Sequence, residues 1–260
     1  MTQVTIRDLC LSYDHFGSGE PLLLIHGLGE RKEGWTCQHE LANKFELIIP
    51  DLRGHGESKQ YDNITIDTFA LDLLALLDYL NIEKAHICGL SMGGFVAQEI
   101  YRIAPERCRS LILASTAHYA PKIMAKWVYH IRMWRYEKLT KEQEKLISAR
   151  TCLYSWNDEN MQKFNKFHSP NRESYRPSLE ACLQIDNRKL LKSIHVPTLI
   201  TGGQYDTIIP IWVQILMHKM IPNSKLVIFK DAGHIARLEK AEEFNQVLTQ
   251  FLTDMNEQSA

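Results

Sequence analysis

The sequence predicts an α/β protein: a mostly parallel sheet with helices on both faces, interrupted by an inserted helical segment. Three observations predict it. Short continuous apolar runs end in glycine-rich or polar turns, as strands buried on both faces do. Stretches with apolar residues at helical spacing lie between those runs. From about Thr116 to Leu190 the texture changes: long apolar runs vanish, and aromatic and charged residues crowd in.

The elements follow in order. Val4 to Ile6 and Leu9 to Tyr13 read as short leading strands, and Gly17-Ser18-Gly19 as a turn. Pro21 to Ile25 is a buried strand feeding His26-Gly27, and Phe45 to Pro50 is a second one, followed by the polar turn Asp51-Leu52-Arg53-Gly54-His55-Gly56. Phe69, Leu73, Leu76, Leu77 and Leu80 repeat as one helix face. The strand Ala85 to Cys88 leads into Gly89-Leu90-Ser91-Met92-Gly93-Gly94 and a helix that stops before Ala104-Pro105. Ser110 to Ala114 is the next strand. The 116–190 stretch breaks near Pro121, Thr140, Asn157 and Ser169-Pro170. Pro197 to Gly202 resumes the sheet, Lys225 to Phe229 adds a last strand, and Phe244, Val247, Leu248, Phe251 and Leu252 mark a closing amphipathic helix. The expected division is a core of residues 1–115 and 191–260, with a helical cap at 116–190.

Composition narrows the class. The 260 residues are 45% hydrophobic and 23% charged, which is ordinary for a globular chain, and the net charge of −1 gives no reason to expect a nucleic-acid partner. The first residues lack the basic-then-apolar pattern of a secretory signal, and no apolar run approaches the ~20 residues of a membrane span. Six scattered cysteines show no metal-type spacing and read as reduced thiols of a cytoplasmic protein.

The chemistry is carried by strand ends. In a strand–turn–helix, Gly-x-Ser-x-Gly holds the Ser91 hydroxyl out where a substrate reaches it. A serine needs a base, and the base needs an orienting carboxylate. Asp206, in the Gly202 to Pro210 loop, and His234, after the last strand, supply both in the expected order; Asp231 is the nearest rival to Asp206 and reads as a shaper of the histidine turn. The backbone amides of Leu28 and Met92 are placed to hold a developing oxyanion, where losing one donor costs roughly 10² to 10³ in rate. His26 reads as a brace for the Leu28 loop, and Arg53 and His55 as stabilisers of the turn after their strand.

These pieces resemble the α/β-hydrolase superfamily along nearly the whole chain. The matching motifs are His26-Gly27-Leu28-Gly29, Pro50 to Ser58, Gly89 to Gly94, Gly202 to Pro210 and Ala232-Gly233-His234. The resemblance implies an eight-stranded sheet, a cap after the sixth strand, and the Ser91, Asp206 and His234 triad. It is nearest to the capped group of carboxylesterases, 3-oxoadipate enol-lactonases, cofactor-free haloperoxidases and menaquinone-pathway synthases. Serine at 91 argues against haloalkane dehalogenases and epoxide hydrolases, which carry aspartate there. The chain departs from many lactonases of the group in keeping a histidine before Gly27-Leu28-Gly29.

The expected function is hydrolysis of a small or medium carboxylic ester through an acyl-enzyme, requiring neither metal nor organic cofactor. The alternatives are a lactonase or C–C hydrolase, a lyase or synthase using the triad as base, and a ligand receptor with slow turnover. The expected partner is a small ester or lactone, and the expected state is a monomer or homodimer. Trp35, Trp127, Trp134 and Tyr154 are the candidate substrate-binding side chains. Residues 116–190 carry 14 Lys and Arg against 8 Asp and Glu, an excess that would attract an anionic substrate or simply solvate helix faces.

Overall fold

A computed structural model describes the backbone of residues 2–259 and the side chains of residues 2–254. Strands β1 (Thr2–Ile6), β2 (Leu9–Gly17), β3 (Glu20–Ile25), β4 (Phe45–Pro50), β5 (Ala85–Leu90), β6 (Cys108–Ala114), β7 (Thr198–Gly203) and β8 (Ser224–Phe229) form one eight-stranded sheet in the order β1-β2-β4-β3-β5-β6-β7-β8. The β1–β2 and β2–β4 pairs are antiparallel, and every other neighbouring pair is parallel.

The apolar runs are continuous because the sheet is covered on both sides. Leu23 and Ile25 enter one core with helices α1 (Ile66–Tyr79) and α2 (Met92–Ile103). Leu22 and Leu24 enter the other. That second core is closed by a 3₁₀ stretch, Lys32–Asn43, and by the carboxyl-terminal helix Ala241–Ser259. Helix α1 starts where Thr65 accepts a hydrogen bond from the Thr68 amide, which satisfies a first-turn donor.

Strand β2 runs four residues past Tyr13, where the sequence pattern stops. Its second half, through Gly17, pairs with β4, from Tyr13 opposite Pro50 to Gly17 opposite Glu46. Asp14 and His15 break the apolar run there, and His15 meets Glu46 at 2.6 Å, so backbone pairing continues after the continuous apolar signal ends.

Between β6 and β7 lie four helices: α3 (Lys122–Lys138), α4 (Lys141–Cys152), α5 (Asp158–Phe167) and α6 (Arg172–Leu183). Their starts fall at the breaks in the sequence. Thr140 makes a capping box with Gln143, and Asn157 and Asn171 accept first-turn amides. After β7 come α7 (Ile211–Met220), the one-turn α8 (Ala236–Glu239) and the closing helix α9 (Ala241–Ser259).

The topology positions the site. Chain order runs outward from β3 to β4 on one side and from β5 to β8 on the other, so the direction switches between β3 and β5. In open α/β sheets the crevice at the carboxyl ends of such strands is where ligands sit. The loop at Gly27 follows β3, and Ser91 follows β5.

Candidate active site

Ser91 stands at the junction of β5 and α2 with φ 53° and ψ −113°, a conformation that non-glycine residues avoid. The surroundings hold it there. Its amide donates to the Ala114 carbonyl at 2.9 Å, and its carbonyl accepts from the Thr116 hydroxyl at 2.7 Å. The flanking glycines are required by space. A Cβ on Gly89 would lie 2.1 Å from the Gly93 carbonyl oxygen, and one on Gly93 would lie 2.3 Å from that of Ile25.

Asp206 and His234 come from the loops after β7 and β8 and meet at 2.8 Å, Oδ2 to Nδ1, with both side chains buried. The other carboxylate oxygen, Oδ1, accepts the Ile208 and Ile209 amides at 2.8 Å each. Three acceptor contacts leave Asp206 little freedom, and an ionised Asp206 fixes the proton of His234 on Nδ1, with Nε2 left as the acceptor. The histidine loop is fastened to the helical segment. The His234 amide donates to the Cys152 carbonyl at 2.7 Å. The Glu239 carboxylate accepts from Gly233 at 2.7 Å, Tyr154 at 2.8 Å and Ser155 at 2.7 Å. Burial raises the Glu239 carboxyl above its ordinary range, against the lowering effect of these amides.

The Leu28 loop is braced from two sides. The Gly27 amide donates to Glu30 Oε2 at 3.0 Å, and the same oxygen accepts from Arg237 at 2.7 Å in a fully buried ion pair. Arg237 also donates to the Gly34 carbonyl and lies 4.6 Å from the centre of the Trp35 ring. His26 is buried and accepts the Leu52 amide on Nε2 at 3.0 Å, while Nδ1 donates to the Gly27 carbonyl at 2.9 Å. Burial pushes its pKa down to about 4, so it is neutral at pH 7. It ties the loop after β3 to the one after β4. Arg53 is equally structural: it forks onto Asp72 at 2.8 and 3.0 Å and onto Asp8.

A cavity of about 640 Å³ opens beside Ser91, lined in part by Leu28, Met92 and His234. Asp206 stands behind His234 as its hydrogen-bond partner. Met92 opens α2, so its amide is one of the first-turn donors without an intrahelical acceptor.

Of the four aromatic side chains expected to bind substrate, Trp127 lines this cavity, at its rim. The other three lie outside the lining, contrary to the expectation. Trp35 is fully buried in the second core, between Arg237 and Phe244. Trp134 projects outward from α3 with 58% of its surface exposed. Tyr154 stacks on Tyr205 at 4.5 Å between ring centres. The inward face of α3 instead carries Ala125, Val128, Arg132 and Arg135, at i, i+3, i+7 and i+10. That spacing was present in the sequence, but the bulky neighbours Trp127 and Trp134 masked it. His168 and Phe164 of the helical segment also line the cavity, again unanticipated.

The fold and the strand-end constellation define a class: open α/β-sheet proteins with a serine turn at the switch point. The alpha/beta hydrolase fold family matches residues 20–241, and the chain belongs to that family. Among its relatives is the dihydrolipoyllysine-residue acetyltransferase component of the acetoin cleaving system of Pseudomonas putida. The two are 32% identical over 90% of this chain, which spans 64% of that longer relative. 3-Oxoadipate enol-lactonase 2 of Acinetobacter baylyi is 29% identical over 97% of both chains. A thermophilic esterase from Thermogutta terrifontis superposes with a TM-score of 0.89 at 28% identity, covering 98% of this chain and 99% of that one.

Proposed function

We propose that this protein is a serine hydrolase of small to medium carboxylic esters, and that residues 116–190 act as a cap over its site. The observation that carries the reading is the buried 2.8 Å contact between His234 Nδ1 and Asp206, on a cavity that Ser91 also lines. In this reading Ser91 Oγ attacks the ester carbonyl while His234 Nε2 takes its proton, and Asp206 stabilises the imidazolium. The Leu28 and Met92 amides receive the oxyanion. Collapse of the tetrahedral species expels the alcohol, protonated by His234. A water then adds to the acyl-enzyme with His234 as base, releasing the acid and restoring Ser91.

Ser91→Ala is expected to lower kcat on p-nitrophenyl acetate by a factor on the order of 10⁶ and to abolish labelling by a fluorophosphonate, with an unchanged circular dichroism spectrum. Retained turnover would overturn the assignment. A second reading, hydrolysis of a lactone by the same residues, is favoured by the similarity to an enol-lactonase along 97% of the chain. Faster turnover of a lactone than of any open ester would select it.

A further inference from the structure

Three arginines line the cavity beside Ser91: Arg132, Arg135 and Arg188. Two are already neutralised. Arg135 forks onto Glu144 with both contacts at 3.1 Å, and Arg188 forks onto Asp186 at 2.8 and 2.6 Å. Arg132 has no such partner. It donates from Nη1 to the Tyr175 hydroxyl at 3.2 Å and forms no ion pair among the described residues. Nor can Glu30, the carboxylate that lines the same cavity, readily serve it: one of its oxygens accepts both Arg237 and the Gly27 amide.

The guanidinium is held in place. Tyr175 is buried and stacks on Tyr136 at 4.8 Å with the rings 9° from parallel, so the hydroxyl that receives Nη1 is fixed. Nε and Nη2 are left without an acceptor among the described residues. Glu144, the carboxylate whose charge reaches Arg132, is engaged through both oxygens by Arg135. Arginine is charged at every physiological pH, and a desolvated cation is costly unless paired. Its planar fork matches a carboxylate in two parallel hydrogen bonds.

We propose that Arg132 is a specificity residue that binds a free carboxylate on the substrate. The substrate class is then an ester or lactone carrying a second, unesterified acid group, such as the half-ester of a dicarboxylic acid. This rests on the serine-hydrolase reading of the site. Hydrolysis adds one water across the acyl C–O bond: a half-ester yields a dicarboxylate and an alcohol, and a lactone yields a single dicarboxylate that keeps the released hydroxyl; the carboxylate on Arg132 is unchanged throughout. The basic excess of residues 116–190 draws such an anion toward the cavity.

The test compares monoethyl adipate with diethyl adipate on the wild type, Arg132→Met and Arg132→Lys. The ratio of kcat/KM for the half-ester over the diester is expected to fall about 10- to 100-fold in Arg132→Met, mainly through KM, with partial recovery in Arg132→Lys. An unchanged ratio in a folded Arg132→Met overturns the proposal. Calorimetric binding of adipate to Ser91→Ala separates the two levels. If wild type cleaves neither ester while adipate binds in an Arg132-dependent way, the hydrolase reading fails and the anion site stands. If adipate binds equally well with and without Arg132, the anion site fails.

Discussion

Glu30 is met from two directions, by the Gly27 amide three residues before it and by an arginine 207 residues away. Its carboxylate and the Arg237 guanidinium are both buried, and removing one member of such a pair leaves an uncompensated charge. Glu30→Ala is expected to lower unfolding free energy by about 3–5 kcal/mol, read from urea denaturation, and to loosen the Leu28 loop that the carboxylate braces. Loss of under about 1 kcal/mol would show that water replaces the partner. At this scale the chain is legible where chemistry is local. Ser91 announces itself through its glycine neighbours, and His234 and Asp206 through the loops that carry them. Trp35 is opaque for the opposite reason. What decides its place is Arg237, and no nearby residue reports that a distant guanidinium will cover an indole.

At the scale of elements, the turn at Ser91 depends on how closely α2 approaches β3. Gly93 makes that approach possible, since any Cβ there would lie 2.3 Å from the Ile25 carbonyl oxygen. Gly93→Ala is therefore expected to cost about 1–3 kcal/mol in stability and to reduce turnover of the proposed ester substrate further, because the shift falls two residues from the one that carries the hydroxyl. Thermal melting together with initial rates checks it; equal activity at full stability would mean the helix tolerates the displacement. The central strands were readable because burial on both faces makes them continuous apolar runs. The far half of β2 was not, because His15 and Glu46 pair through polar side chains on a backbone ladder that hydropathy does not report. The 3₁₀ stretch Lys32–Asn43 has no regular apolar period and left no trace in the pattern. Helix α3 was readable as a helix, but which face turns inward depends on its neighbour α6, through contacts such as Arg132 with Tyr175.

For the whole molecule, buried neutral imidazoles set the response to acid. Burial depresses His26 to about 4 and His55 to about 3, from an ordinary 6.5. Between those values the unfolded chain binds protons that the folded chain refuses, so stability falls as pH drops from about 6.5 toward 4. Each histidine contributes up to about 1.4 kcal/mol per pH unit. The Asp51, Asp72 and Glu239 carboxyls, raised by burial, partly offset this at the acidic end. Urea midpoints at pH 7, 6 and 5 should decline steadily; a flat profile would show the histidines to be hydrated. The Glu239 carboxylate bears on the molecule in another way. By gathering Gly233, Tyr154 and Ser155 on one side chain, it makes the helical segment and the His234 loop share a seam. A helical segment grafted from a relative cannot be joined at that seam without resetting His234. An exchange of this segment between relatives must therefore either carry residues 152–155 along with it or leave them in place.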